Sequence, residues 1–142
     1  EDRLLALIDA TLSLNAAPSP TACPTTRGTD RPVRRCVTVA TDYLDGHFME
    51  RITLDDLGRA TSLSPWRISR LFSRFVGLPV HRYLTRLRLR EATMRISQGS
   101  EDLTCLALTL GFTSHSHFTA AFRREFGLTP SAFRAALADP RA

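Results

Sequence analysis

The sequence contains no lysine: all 19 of its basic residues are arginine, set against 14 carboxylates for a formal charge of +5. Codon usage in a GC-rich genome accounts for part of that bias, but arginine is also the cation suited to bidentate contacts with phosphate and guanine. Three cysteines, Cys23, Cys36 and Cys105, are an odd number without metal-ligand spacing. They read as idle thiols in a reducing compartment, not as a disulfide frame or a zinc site. No apolar run is long enough to span a bilayer. No segment alternates as a strand does, so the fold expected is all-α. No signal-peptide pattern is visible, and the chain opens on Glu1 rather than Met, as a fragment would. A cytoplasmic location is expected.

Catalytic constellations are also missing. There is no H-E-x-x-H, no Gly-rich phosphate loop and no Cys-His-Asp set. His115 and His117 are spaced i,i+2, which points side chains apart on a helix. Glu125 lies too far along to join them, and His47 and His81 are isolated. No enzyme, cofactor or metal is therefore expected.

What the chain has is one short segment written twice. From Leu54 it runs L-x-x-L-G, then Leu63, then S-P-W-R-I-S-R-L-F, then Gly77-Leu78 and Tyr83. From Leu103 it runs L-x-x-L-A, then Phe112, then S-H-S-H-F-T-A-A-F, then Gly127-Leu128 and Phe133. The offset is 49 up to Leu63 and Phe112, and 50 from Ser64 and Ser114 onward, so Thr113 reads as a one-residue insertion. Each copy reads as a short helix, a tight turn and a longer helix, which is a helix-turn-helix. The charge sits with the repeats. Residues 1–30 hold two arginines against four carboxylates, and the remainder holds seventeen against ten. Two such units on a basic chain point to DNA.

The boundaries follow from local signals. Residues 3–14 place Leu4, Leu5, Ile8 and Leu12 on one helical stripe, and the Pro- and Thr-rich residues 15–32 read as a linker. Residues 1–32 are expected to be a short helix, either the remnant of a preceding domain or a frayed tail, and a linker before a domain at 33–138. Pro32 is expected to open a helix whose apolar face is Val33, Cys36, Val37, Ala40 and Leu44. Thr53 is a candidate N-cap, and Ser64 followed by Pro65 is another. The first unit is placed at about 53–76, with Ile68, Leu71, Phe72 and Phe75 inward, and Gly77 as its stop. A connecting helix at about 79–97 opens on Pro79. It buries Tyr83, Leu84, Leu87, Ala92 and Ile96 and is decorated by Arg82, Arg86, Arg88, Arg90 and Arg95. The second unit is placed at about 103–126, and Pro130 begins a last helix. The architecture expected is two helix-turn-helix subdomains joined by a long connecting helix, about seven helices in all.

A helix-turn-helix reads bases with the N-terminal residues of its second helix. In the first unit these are Trp66, Arg67, Ser69 and Arg70. In the second they are Ser116, His117, Thr119 and Ala120, with His115 one step earlier. The second set is short and weakly polar, so the first unit is expected to carry more of the base discrimination. Phosphate contacts are expected from Arg74, Arg123 and Arg124.

These residues resemble the AraC/XylS family of bacterial transcription regulators over about Val33 to Leu137. The strongest stretch is L-A-L-T-L-G-F-T-S-H-S-H-F-T-A-A-F-R-R-E-F-G-L-T-P-S-A-F-R, residues 106–134. The first unit and Arg88-Leu89-x-x-Ala92 are similar to the family pattern too. The resemblance implies recognition helices in successive major grooves. It implies base contacts from Trp66, Ser69 and Arg70 in the first unit and from His115, Ser116, Thr119 and Ala120 in the second. Ala120 departs from members with a long polar side chain there. Some DNA-repair alkyl acceptors carry a similar domain, but with a cysteine cluster that this chain lacks. Expected partners are double-stranded DNA and RNA polymerase, with the fragment a monomer, the parent a dimer, and a nucleoid-associated location. The competing reading is a helical protein-interaction module that has lost DNA binding; the exposed Trp66, Arg67 and Arg70 argue against it.

Overall fold

The computed structural model describes residues 30–99 and 102–138. Seven helices and no strand occur among them: α1 Asp30–His47, α2 Leu54–Thr61, α3 Pro65–Val76, α4 Val80–Gln98, α5 Leu103–Thr109, α6 His115–Phe126 and α7 Pro130–Ala138. The all-α expectation holds. The helix expected at 3–14 and most of the linker lie outside the described residues. No described helix is long and apolar enough to cross a membrane.

Two helix starts differ from expectation. The first helix begins at Asp30, so Pro32 lies inside its first turn. That is tolerated because the first-turn N–H groups have no intrahelical acceptor in any case. Pro79 is the residue before α4, and its carbonyl accepts from the N–H groups of Arg82 at 3.0 Å and Tyr83 at 3.1 Å.

The chain divides into two compact units, with the boundary between Leu84 and Thr85, inside α4. In the first, α1, α2 and α3 pack on one another. Val37, Ala40, Leu44, Leu57, Ile68 and Phe72 are buried in its core. Tyr83 sets its ring edge against Phe72 at 5.4 Å and donates its hydroxyl to Asp45 Oδ1 at 3.1 Å. Leu71 and Phe75, expected inside, are only half-buried at the margins of the stripe.

The second unit is built on aromatic rings. Five of the chain's eight phenylalanines fall between 112 and 133. Phe118 and Phe122 are fully enclosed, joined by Leu106, Leu110 and Phe133. From α4, Leu87, Leu89, Ala92 and Ile96 are buried as well. Leu84 is half-buried, and Leu89 is an addition to the stripe read from the sequence. A 2.8 Å ion pair between Arg86 and Glu125 ties α4 to α6.

Side chains close the starts of α2 and α5. Thr53 and Asp56 form a reciprocal capping box at α2: the Thr53 N–H donates to Asp56 Oδ2 at 2.8 Å and the Asp56 N–H to Thr53 Oγ1 at 3.3 Å. Asp102 Oδ2 accepts from the N–H groups of Thr104 and Cys105, each at 3.0 Å. Hydrogen bonds from Thr53, side chain first, hold the Asp56 carboxyl below its ordinary pKa, and the Cys105 N–H leads the same effect at Asp102. A lowered folded-state pKa stabilises above the ordinary value of 3.8. That contribution disappears as pH falls through the lowered value. Asp102→Asn, which can still cap, is expected to flatten the loss of stability on the acid side. Denaturant midpoints measured against pH check this, and an acid limb identical to the parent's would contradict it.

Candidate nucleic-acid interface

Both helix-turn-helix units are built on the same backbone device. In the first, the turn residue Ser62 is left-handed at φ 56°, and the Leu63 N–H donates to the Gly58 carbonyl at 3.0 Å. In the second, Gly111 is left-handed at φ 78°, and the Phe112 N–H donates to the Ala107 carbonyl, also at 3.0 Å. The positions correspond at the offset of 49 read from the sequence. A Cβ at Gly58 would lie 2.8 Å from the Leu63 carbonyl oxygen, so helix and turn are in close approach there. Ser64 then caps α3 by accepting from the Arg67 N–H at 3.3 Å, and Ser114 caps α6 by accepting from the His117 N–H at 3.1 Å. Thr113 is the extra residue between the buried Phe112 and the Ser114 cap.

The caps set which side chains leave the surface. Trp66, at the second position of α3, is 67% exposed, an orientation no core residue would have. The Arg70 guanidinium, one turn on, lies 4.7 Å from its ring centroid. Such a stack limits the rotamers of a long side chain while leaving N–H edges free to donate. Arg67 and Arg74 are exposed, and Ser69 is half-buried.

In the second unit His115, Ser116, Thr119, Ala120, Arg123 and Arg124, with Thr129, line one open depression of about 700 Å³. Residues named from the sequence as base and phosphate contacts thus share one surface. Thr119, in this depression, and His117, outside its lining, also have structural surroundings of their own. The Thr119 hydroxyl oxygen is buried without a hydrogen-bond partner, because the residue sits beside the inward stripe Phe118, Ala121 and Phe122. His117 is exposed, but its Nδ1 is 3.1 Å from Thr113 Oγ1 and its ring meets the edge of Phe112 at 5.5 Å. It braces the turn as well as facing solvent.

Helical spacing puts Arg88 among the surface arginines of α4, and the structure corrects that. Its Nη1 donates to the Gly111 carbonyl at 2.8 Å, and its guanidinium stands 6.0 Å from the Phe112 ring centroid. Burial lowers its pKa from the usual arginine range, yet arginine keeps its charge. A charged donor on a partly buried turn carbonyl fixes the left-handed residue that precedes α6.

A protein-family profile described as a helix-turn-helix domain matches residues 57–136. The chain belongs to the AraC/XylS family. This is a family of DNA-binding transcription regulators, and the seven helices are those of its DNA-binding domain. Over 92 residues the chain is 28% identical to the transcriptional activator AarP of Providencia stuartii, covering 65% of this chain and 68% of that protein. It is 34% identical over 92 residues to the transcriptional activator RhaS of Escherichia fergusonii, covering 65% of this chain and 33% of RhaS. A transcriptional regulator structure from Chromobacterium violaceum, described as an AraC-type DNA-binding domain, superposes with a TM-score of 0.68 at 29% identity, over 75% of this chain and 96% of that one. The chain spans about a third of the length of RhaS, so it corresponds to one portion of such a relative.

Proposed function

We propose that this AraC/XylS-type chain is the DNA-reading portion of a bacterial transcription regulator, with α3 and α6 entering successive major grooves of one duplex. The observation that carries this reading is the exposed Trp66–Arg70 stack at the start of a capped helix in a helix-turn-helix. In this reading Arg70 is bidentate to a guanine, and Ser69 and Arg67 contact neighbouring bases. Trp66 packs on a sugar or a thymine methyl. His115, Ser116 and the outer edge of His117 supply the weaker second reading surface. Arg74, Arg123 and Arg124 hold phosphates and set the register. The role is binding without catalysis. AarP and RhaS are both named activators, which supports a reading in which this chain serves activation with RNA polymerase as its partner.

The test is selection from a random duplex pool at two salt concentrations. Two enriched base clusters about one helical turn, ~34 Å, apart support the tandem reader. One cluster means that α6 grips the backbone only. Binding without enrichment that vanishes in salt overturns sequence readout by this portion. No binding at either salt favours a protein-interaction module.

A further inference from the structure

The first unit carries a second grouping of cations, away from the start of α3. Trp66, Arg70 and Arg74 succeed one another at i,i+4 spacing, along one side of the helix. Beside the last of them is Phe75, half-buried at the margin of the core. The Arg74 guanidinium lies 5.9 Å from the Phe75 ring centroid. Arg34, from α1, brings a second guanidinium to 5.5 Å from the same centroid. Neither arginine forms an ion pair among the described residues.

Two like charges drawn to one ring repel each other, and the ring face is a weak partner for either of them. An oxyanion reached by both would relieve the repulsion and accept from their N–H edges. Arg34 and Arg74 reach this ring from two different helices, as a clamp would, and the ring fixes their stems. The stripe that begins at the base-reading Trp66 ends here.

We propose that Arg34 and Arg74 together clamp one DNA backbone phosphate flanking the groove that α3 enters, with Phe75 as the platform that holds them. The proposal rests on the DNA-reading role of this chain. It assigns to α1, which carries no base-reading residue, a share of the backbone grip and of the register of α3.

The test measures affinity against salt for the whole chain on its selected duplex and on a random duplex. Arg34→Gln keeps much of the stem over Phe75 and removes the charge. It is expected to lower the slope of log K against log salt by about 0.9, one phosphate's worth, on both duplexes alike. Arg34→Lys, which keeps the charge, should retain most of the slope. Because one phosphate is shared, Arg34→Gln with Arg74→Gln should lose less than the sum of the single losses. Unchanged slope in Arg34→Gln, or a loss confined to the selected duplex, overturns the clamp while leaving the DNA-reading role intact. Additive losses overturn the sharing. A parent chain that binds neither duplex overturns both. A drop in thermal midpoint with no change of slope shows Arg34 to be structural only.

Discussion

Phe122→Ala is expected to destabilise the second unit by about 3–5 kcal/mol, because the transfer cost of a buried ring adds to the cost of the cavity it leaves. Phe122 is fully enclosed. Its ring lies 5.7 Å from Phe118, 4.6 Å from Phe126 and 5.7 Å from Phe133. It is thus the ring shared by α6 and α7, and edge and tilted contacts of this kind add to simple area burial. Phe122→Leu, which fills more of the volume, should lose distinctly less. Urea unfolding of the three proteins measures the difference. A loss under about 1 kcal/mol for the alanine variant would mean that the site collapses freely, contrary to the tight enclosure of this ring.

The second large effect concerns base reading. Arg70→Ala is expected to cost about 1–3 kcal/mol of discrimination at one base pair, while affinity for random duplex falls much less. Arg70→Lys should not restore that discrimination, since an ammonium cannot make the same bidentate fork. Trp66→Ala should reproduce part of the loss by releasing the Arg70 side chain from its stack. Competition with duplexes substituted one position at a time gives the readout. If Arg70→Ala binds every substituted duplex in the same ratios as the parent, α3 is not the reading helix.

Much of this organisation is local and is therefore legible in the chain. Ser64 and Ser114 each stand directly before an apolar-periodic run, the position of a cap, and both accept the expected N–H three residues on. Gly77 and Gly127 close their helices in the left-handed region at φ 80° and 78°. The insertion at Thr113 can be placed because caps and apolar anchors fix register on either side of it. Contacts between distant segments are not legible. Helical spacing puts Arg88 on α4 but says nothing of a turn carbonyl 23 residues later. The same holds for Arg34, which meets Phe75 only once α1 has packed. The burial of the Thr119 hydroxyl is not legible for a finer reason: one position on a helix does not tell whether a small hydroxyl turns outward or inward. Ser62 in a conformation that favours glycine is a case where tertiary packing overrides residue preference.

The exposed indole on α3 also makes the molecule its own optical probe. Trp66 is the single tryptophan of the chain, and it stands 67% exposed with a cation over its face. Unfolding moves such a ring from one watery setting to another, so its emission is a poor gauge of the core. A duplex seated on α3 would instead displace water from that same ring. Intrinsic fluorescence is therefore expected to report occupancy of α3 by a duplex, without an added label and largely separate from the folding transition.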